Sequence, residues 1–280
     1  MKRVLPLLLL LSLFLTSCKG SHQDDNGKIN VYTSFYAMYD FARTIGGDDI
    51  NVINIVPTGT EPHDFEPTAS DMAKLSSGNV FIYNGAGMDD WAQNVSSTLP
   101  ESVKTVCASD GLEIEGSDPH VWLSMENAKK QLNKICDALS EADKSHAQNF
   151  RTRTDEYISQ IDNLEQEYKS AEFNGQTLLV THGAYGYLCR EIGIHQLALT
   201  SGQNETEASP SQIADSVKAS GNKNVKAIYY DPLDGDKLAK VIASEANIET
   251  MPLYTFEGDS ENRDYITIMR ENLEQLKKGL

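Results

Sequence analysis

Two α/β lobes joined by one long helix are what this sequence predicts. Three observations carry that expectation. Apolar, β-branched runs alternate with helical patterns from residue 29 onward. The alternation stops between Glu141 and Phe173, where a polar stretch carries one apolar stripe and contains neither proline nor glycine. Past Gly175 the alternation restarts and runs to the C-terminus. The 280 residues, 40% of them apolar, suffice for two packed domains of the usual ~100–150 residues.

Taken in order, the chain begins with Lys2 and Arg3 before an apolar run, Val4 to Leu15. A membrane-spanning helix needs about 20 such residues, so this run reads as a secretory leader over residues 1–17. Leu15-Thr16-Ser17-Cys18 resembles a bacterial lipobox. That resemblance implies cleavage before Cys18, lipidation of its thiol and new N-terminus, and anchoring to a lipid bilayer. Residues 18–27 then form a polar tether, which contains His22.

The first lobe is expected over residues 28–140. Ile29–Thr33, Val52–Val56, Val80–Tyr83 and Val103–Cys107 read as strands. Tyr36–Ile45, Ala69–Leu75, Asp89–Val95 and Met125–Leu139 read as helices, the first stopped by Gly46-Gly47. The linker helix is expected over residues 141–173. Phe150, Tyr157, Ile161, Leu164 and Tyr168 form its apolar stripe. About 30 residues at ~1.5 Å each make a rod of ~45–50 Å, long enough to span two lobes. The second lobe is expected over residues 174–280. Its strands are Thr177–Thr181, Gln196–Thr200, Val225–Tyr230 and Thr250–Tyr254. Its helices are Tyr185–Ile192, one through Ala219 capped by Ser209-Pro210, Asp236–Ala246 and Tyr265–Leu280.

Three of the six histidines stand at strand-exit or loop positions. His63 lies in Glu61-Pro62-His63-Asp64-Phe65-Glu66-Pro67 after an apolar strand, and the two prolines restrict its backbone. That loop adds the carboxylates Glu61, Asp64 and Glu66. His120 lies in Asp118-Pro119-His120, and His182 directly follows Leu178-Leu179-Val180-Thr181. Such loops form the ligand-binding edge of open α/β sheets. Imidazole suits zinc, copper, nickel and iron. Glu257, leaving the last strand, is the candidate fourth ligand completing a tetrahedron. Two candidates from each half place a metal in the cleft between lobes, and their separation argues against a local metallohydrolase helix. His146 and His195 read as structural.

A formal charge of −17 repels nucleic acid and favours cations only weakly and non-specifically. Cys107, Cys136 and Cys189 show no CxxC spacing and lie in apolar patterns, so buried thiols are expected.

The chain resembles the zinc-binding solute receptors of bacterial ABC importers, whose two lobes are joined by a rigid helix. Ser34-Phe35-Tyr36, Ile45-Gly46-Gly47-Asp48, Glu61-Pro62-His63-Asp64-Phe65-Glu66-Pro67-Thr68, Tyr83-Asn84-Gly85-Ala86-Gly87-Met88, Asp118-Pro119-His120-Val121-Trp122-Leu123 and His182-Gly183-Ala184-Tyr185-Gly186-Tyr187-Leu188 carry the likeness. It covers roughly Lys28 to Leu280. It implies that His63, His120, His182 and Glu257 ligate one Zn²⁺ as transported cargo. It further implies that a membrane permease receives the metal and that the protein is no enzyme; a monomer is expected. Manganese and iron receptors of this fold usually carry Glu and Asp at the last two ligand positions. The chain departs from many zinc members in its short, His-free Ala108–Ser117 segment. Two other readings share these residues. One is a zinc hydrolase with Glu66 or Glu257 as base, which needs an open coordination position; the other is a surface adhesin using the metal structurally.

Overall fold

The computed structural model describes residues 27–173, 175–200, 214, 217, 218, 221, 225–258 and 261–280. The leader, the lipobox and most of the helix expected up to Ala219 lie outside the described residues. No helix among the described residues is long and apolar enough to cross a membrane.

Strands β1 (Ile29–Thr33), β2 (Ile50–Asn54), β3 (Val80–Tyr83) and β4 (Lys104–Cys107) form a parallel sheet in the order β2-β1-β3-β4. Strands β5 (Thr177–His182), β6 (His195–Thr200), β7 (Ala227–Tyr230) and β8 (Glu249–Pro252) form a second parallel sheet in the order β6-β5-β7-β8. The two orders are equivalent. Each sheet starts at an inner strand, steps to one side, then crosses to the other. The crossing leaves a crevice at the carboxyl ends of the strands.

The inner strands are apolar on both faces because both faces are covered. Val31, Val80 and Ile82 point into the large core, while Tyr32, Phe81 and Tyr83 point into a smaller outer cluster. In the second sheet Leu178, Val180 and Tyr229 point inward, and Leu179 and Ile228 outward. The short helices α2 (Ala69–Ser76), α3 (Asp90–Ser96) and α6 (Gly186–Glu191) connect these strands. Helix α2 starts with a reciprocal capping box between Thr68 and Asp71.

Four longer helices fill the space between the sheets: α1 (Tyr36–Gly46), α4 (Met125–Ala142), α5 (Ala147–Lys169) and α8 (Tyr265–Gly279). Their buried residues join the inner faces of both sheets in one continuous apolar cluster. Helix α7 (Lys237–Ala246) covers the outer face of the second sheet. Gly47 (φ 52°) ends α1, and Gly46 must lack a side chain because a Cβ there would overlap Ile50.

The linker helix differs from expectation. It starts at Ala147 rather than Glu141, and it ends at Lys169 rather than Phe173. Its 23 residues make a rod of ~35 Å. The break has a local cause. Asp143 accepts the Ser145 backbone N–H (3.1 Å) and pairs with His146 Nδ1 (2.6 Å), turning the chain between α4 and α5. The expected stripe holds: Phe150, Tyr157, Ile161, Leu164 and Tyr168 are buried, joined by Thr154. Helix α5 packs on α1 and α4 of the first lobe and on α8 of the second. Tyr168 Oη donates to the Met269 carbonyl at 2.6 Å.

Candidate metal centre

His63 reaches the crevice on the connection from β2 to α2. It sits within a single 3₁₀ turn, Pro62–Asp64, rather than in the irregular loop its flanking prolines suggest. Pro62 opens that turn, where a missing N–H costs nothing. Glu61 caps it, accepting the His63 N–H at 3.3 Å.

His120 is 1% exposed. Asp118 accepts its backbone N–H (3.0 Å) and pairs with its Nδ1 (2.7 Å), which turns Nε2 into the crevice. Asn84 supports this turn by donating to the Pro119 carbonyl (3.1 Å) and accepting from Gln131 on α4 (2.9 Å). This accounts for the asparagine of the Asn84-Gly85-Ala86-Gly87 turn.

His182 is the last residue of β5, not the residue after it. Its strand lies between β6 and β7, at the switch point of the second sheet. Glu257 follows β8 and is 2% exposed.

These four residues, distant in sequence, converge. One ligand-capable atom from each of His63, His120, His182 and Glu257 lies within 4.8 Å of all the others. His120 Nε2 is 3.2 Å from His182 Nε2 and 3.1 Å from Glu257 Oε1. Ligands at ~2.0–2.1 Å on a tetrahedral zinc stand about 3.4 Å apart, so these separations suit a shared ion of that size. The ring centroids of His63 lie 5.5 Å from His120 and 6.1 Å from His182.

Other residues separate from the centre. Asp64 and Glu66 are exposed. His146 serves the turn before α5, and His195 opens β6. His22 lies outside the described residues. Cys136 and Cys189 are buried free thiols, as expected, but Cys107 is only half-buried.

Two further carboxylates stand near the centre: Glu61, one of the three the His63 loop offered in sequence, and Asp234, which the sequence did not single out. Glu61 comes within hydrogen-bonding reach of Glu257. Burial and the Glu257 charge push its carboxyl far above the usual range. Asp234 Oδ2 stands 3.6 Å from His182 Nδ1. A second carboxylate two residues before His63 was visible in sequence, but its lean toward Glu257 was not.

Electrostatics divides the centre. Burial alone pushes Glu257 up, but the hydrogen bond from His120 and the facing imidazoles of His120, His182 and His63 hold its carboxyl below the ordinary carboxylate range. Burial alone pushes His120 down, but hydrogen bonds to Asp118 and Glu257 outweigh it and raise the imidazole above its ordinary 6.5.

Two parallel α/β lobes closing over three imidazoles and a carboxylate define a two-lobed protein with an interlobe centre able to hold a metal ion. Residues 31–279 match the family described as zinc-uptake complex component A, periplasmic (ZnuA), and the chain belongs to that family. It is 31% identical to the high-affinity zinc uptake system protein ZnuA of Bacillus subtilis, covering 95% of this chain and 92% of that one. It is 30% identical to the zinc-binding lipoprotein AdcA of Streptococcus pneumoniae over 96% of this chain, but spans only 59% of AdcA. Among solved structures, the metal-dependent lipoprotein YcdH of B. subtilis superposes with a TM-score of 0.82 and 32% identity, covering 90% of this chain and all of that one. The Zn(II)-bound ZnuA-like domain of S. pneumoniae AdcA superposes with a TM-score of 0.81 and 30% identity, covering 90% and 99%.

Proposed function

We propose that this protein captures Zn²⁺ outside the cytoplasm and delivers it to the membrane subunit of an ABC permease. One zinc binds per chain, held by His63, His120, His182 and Glu257. The convergence of these four side chains, within 4.8 Å at their ligand atoms, is the observation that carries the reading. Three neutral imidazoles and one carboxylate form a nitrogen-rich shell with the ligand number and type that zinc takes. Membership in the zinc-uptake family supports the same cargo.

The chemistry asked of the centre is capture, not turnover. Four protein ligands close a tetrahedron and leave no position for an activated water, which a hydrolase needs. The exposed Glu66 is remote from the role of general base. Binding a dication requires neutral imidazoles and an ionised carboxylate, so it competes with protons at the three histidines. Release requires the ligands from the two lobes to part.

The remaining parts follow from the same reading. Residues 1–17 are removed, Cys18 is lipidated, and residues 18–27 tether the lobes to a membrane, outside the cytoplasm. The first lobe comprises residues 28–140 and the second 174–280. The protein acts as a monomer and does not bind nucleic acid.

Elemental analysis of protein purified without an affinity tag, followed by competition calorimetry with Zn²⁺ and Mn²⁺, tests the reading. Near-stoichiometric zinc and preference for Zn²⁺ are expected. Full-strength zinc binding by a His63→Ala/His120→Ala variant would overturn it.

A further inference from the structure

Glu257 belongs to the second lobe by sequence, yet the first lobe holds it. Before it, Trp122 Nε1 donates to the Thr255 carbonyl at 2.7 Å. At it, the Tyr36 backbone N–H donates to the Glu257 carbonyl at 3.4 Å. After it, Tyr36 Oη donates to the Arg263 carbonyl at 2.8 Å. The Tyr265 N–H, at the start of α8, donates to Asp40 Oδ2 at 3.0 Å. The Phe256 ring meets Tyr36 and Tyr265 edge-on, at 5.2 and 5.5 Å. Tyr36 and Asp40 belong to α1, and Trp122 to the turn that follows His120.

Arg43 of α1 ties these contacts together. Its guanidinium is fixed by Asp40, which is fully buried, through Nε (3.0 Å) and Nη2 (2.9 Å). It donates to the Asn262 side-chain oxygen and, at 3.2 Å, to the Asn262 carbonyl. Phe256 and Asn262, which bracket Glu257 in sequence, both have positive φ, 66° and 58°. Asn adopts that conformation readily. A phenylalanine does so only where its surroundings over-determine the backbone.

Resting on Glu257 as a zinc ligand, we propose that Arg43, seated on Asp40, is a positioning residue that sets Glu257 against His63 and His120 across the lobe boundary. Three of the four ligands then move with the first lobe, and His182 alone travels with the second sheet. Losing the grip on Asn262 lets the Glu257 carboxylate drift, and metal binding must then order it at a cost in affinity.

A double-mutant cycle read by zinc competition against a chromophoric chelator tests this. Arg43→Gln should weaken zinc about ten- to a hundredfold, the usual effect of removing a partner that orients a ligand. In a Glu257→Gln background the same change should cost less than about twofold, because its target is gone. Asn262→Gly keeps the positive φ, disturbs no buried charge and should show the same non-additivity. It stands in if Arg43→Gln fails to fold. Equal losses in both backgrounds would overturn the proposal, since a general loss of stability does not depend on Glu257. No loss from Asn262→Gly or Arg43→Gln with Glu257 intact would also overturn it. Should Glu257→Gln alone leave zinc affinity unchanged, the ligand assignment fails first, and the proposal with it.

Discussion

At the scale of single residues the centre is a contest between burial and partners. His120 and Glu257 are almost fully buried, yet each favours the charged form of the other, raising the imidazole and lowering the carboxyl. Replacing His63, His120 or His182 by alanine should each cost more than the ~10–100-fold typical of outer partners in metal sites. The same change at His146 or His195, read in one calorimetric series, should leave zinc affinity within about twofold. Losses spread evenly over all five would refute the set.

Acid acts on the same residues. The raised His120 pKa means protons compete with zinc from above pH 6.5 downward. In the metal-free protein the sign is opposite. A histidine raised in the fold contributes stability below its unfolded value, and that contribution is lost as pH rises through the folded one. Zinc affinity should therefore fall steeply from neutral pH to about pH 5, with more than one proton taken up per metal released. Affinity that stays flat over that range would contradict a three-imidazole shell. Exchanging His182→Glu with Glu257→Asp makes the shell oxygen-rich and should narrow the ratio of Zn²⁺ to Mn²⁺ affinity. Parallel weakening of both metals would mean that these two residues do not set the preference.

At the scale of elements, α5 is the piece whose packing matters to both lobes. Its stripe was legible because Phe150, Tyr157, Ile161, Leu164 and Tyr168 recur at helical spacings. Its start was not, because Asp143, Ser145 and His146 read equally well as exposed helical residues. Only the capture of backbone N–H by Asp143 makes a turn of them. Leu164 is fully buried, so Leu164→Ala should cost about 2–5 kcal/mol of unfolding free energy. Equilibrium denaturation by guanidinium measures it, and a loss below 1 kcal/mol would place Leu164 outside the shared core.

For the whole molecule, the two sheets share one apolar cluster through α1, α4, α5 and α8. Separately folding lobes would show two heat-absorption peaks. One shared core predicts a single transition with equal calorimetric and van't Hoff enthalpies. Zinc should raise its midpoint, by about 4 kcal/mol of added stability at a free concentration a thousandfold above Kd. Two resolved transitions in the chelated protein would separate the lobes. A midpoint unmoved by zinc would contradict binding in the folded cleft.

By itself the sequence determined the lobe pattern and the candidate ligands. Short continuous apolar, β-branched runs, helix stops such as Gly46-Gly47, and histidines placed at strand exits are local signals. They survive because strand geometry and turn chemistry act over a few residues. The His63 turn and the position of His182 at the end of β5 lay within a residue or two of that reading. Tertiary structure alone decided that the lobes share one core, that Asn84 holds the His120 turn, and that Glu61 and Asp234 stand beside the candidate ligands. It also decided that Glu257 is gripped by α1 of the other lobe. Those contacts join residues up to 227 positions apart. No local propensity encodes such a contact, because its energy arises only once burial removes both partners from water and fixes their geometry.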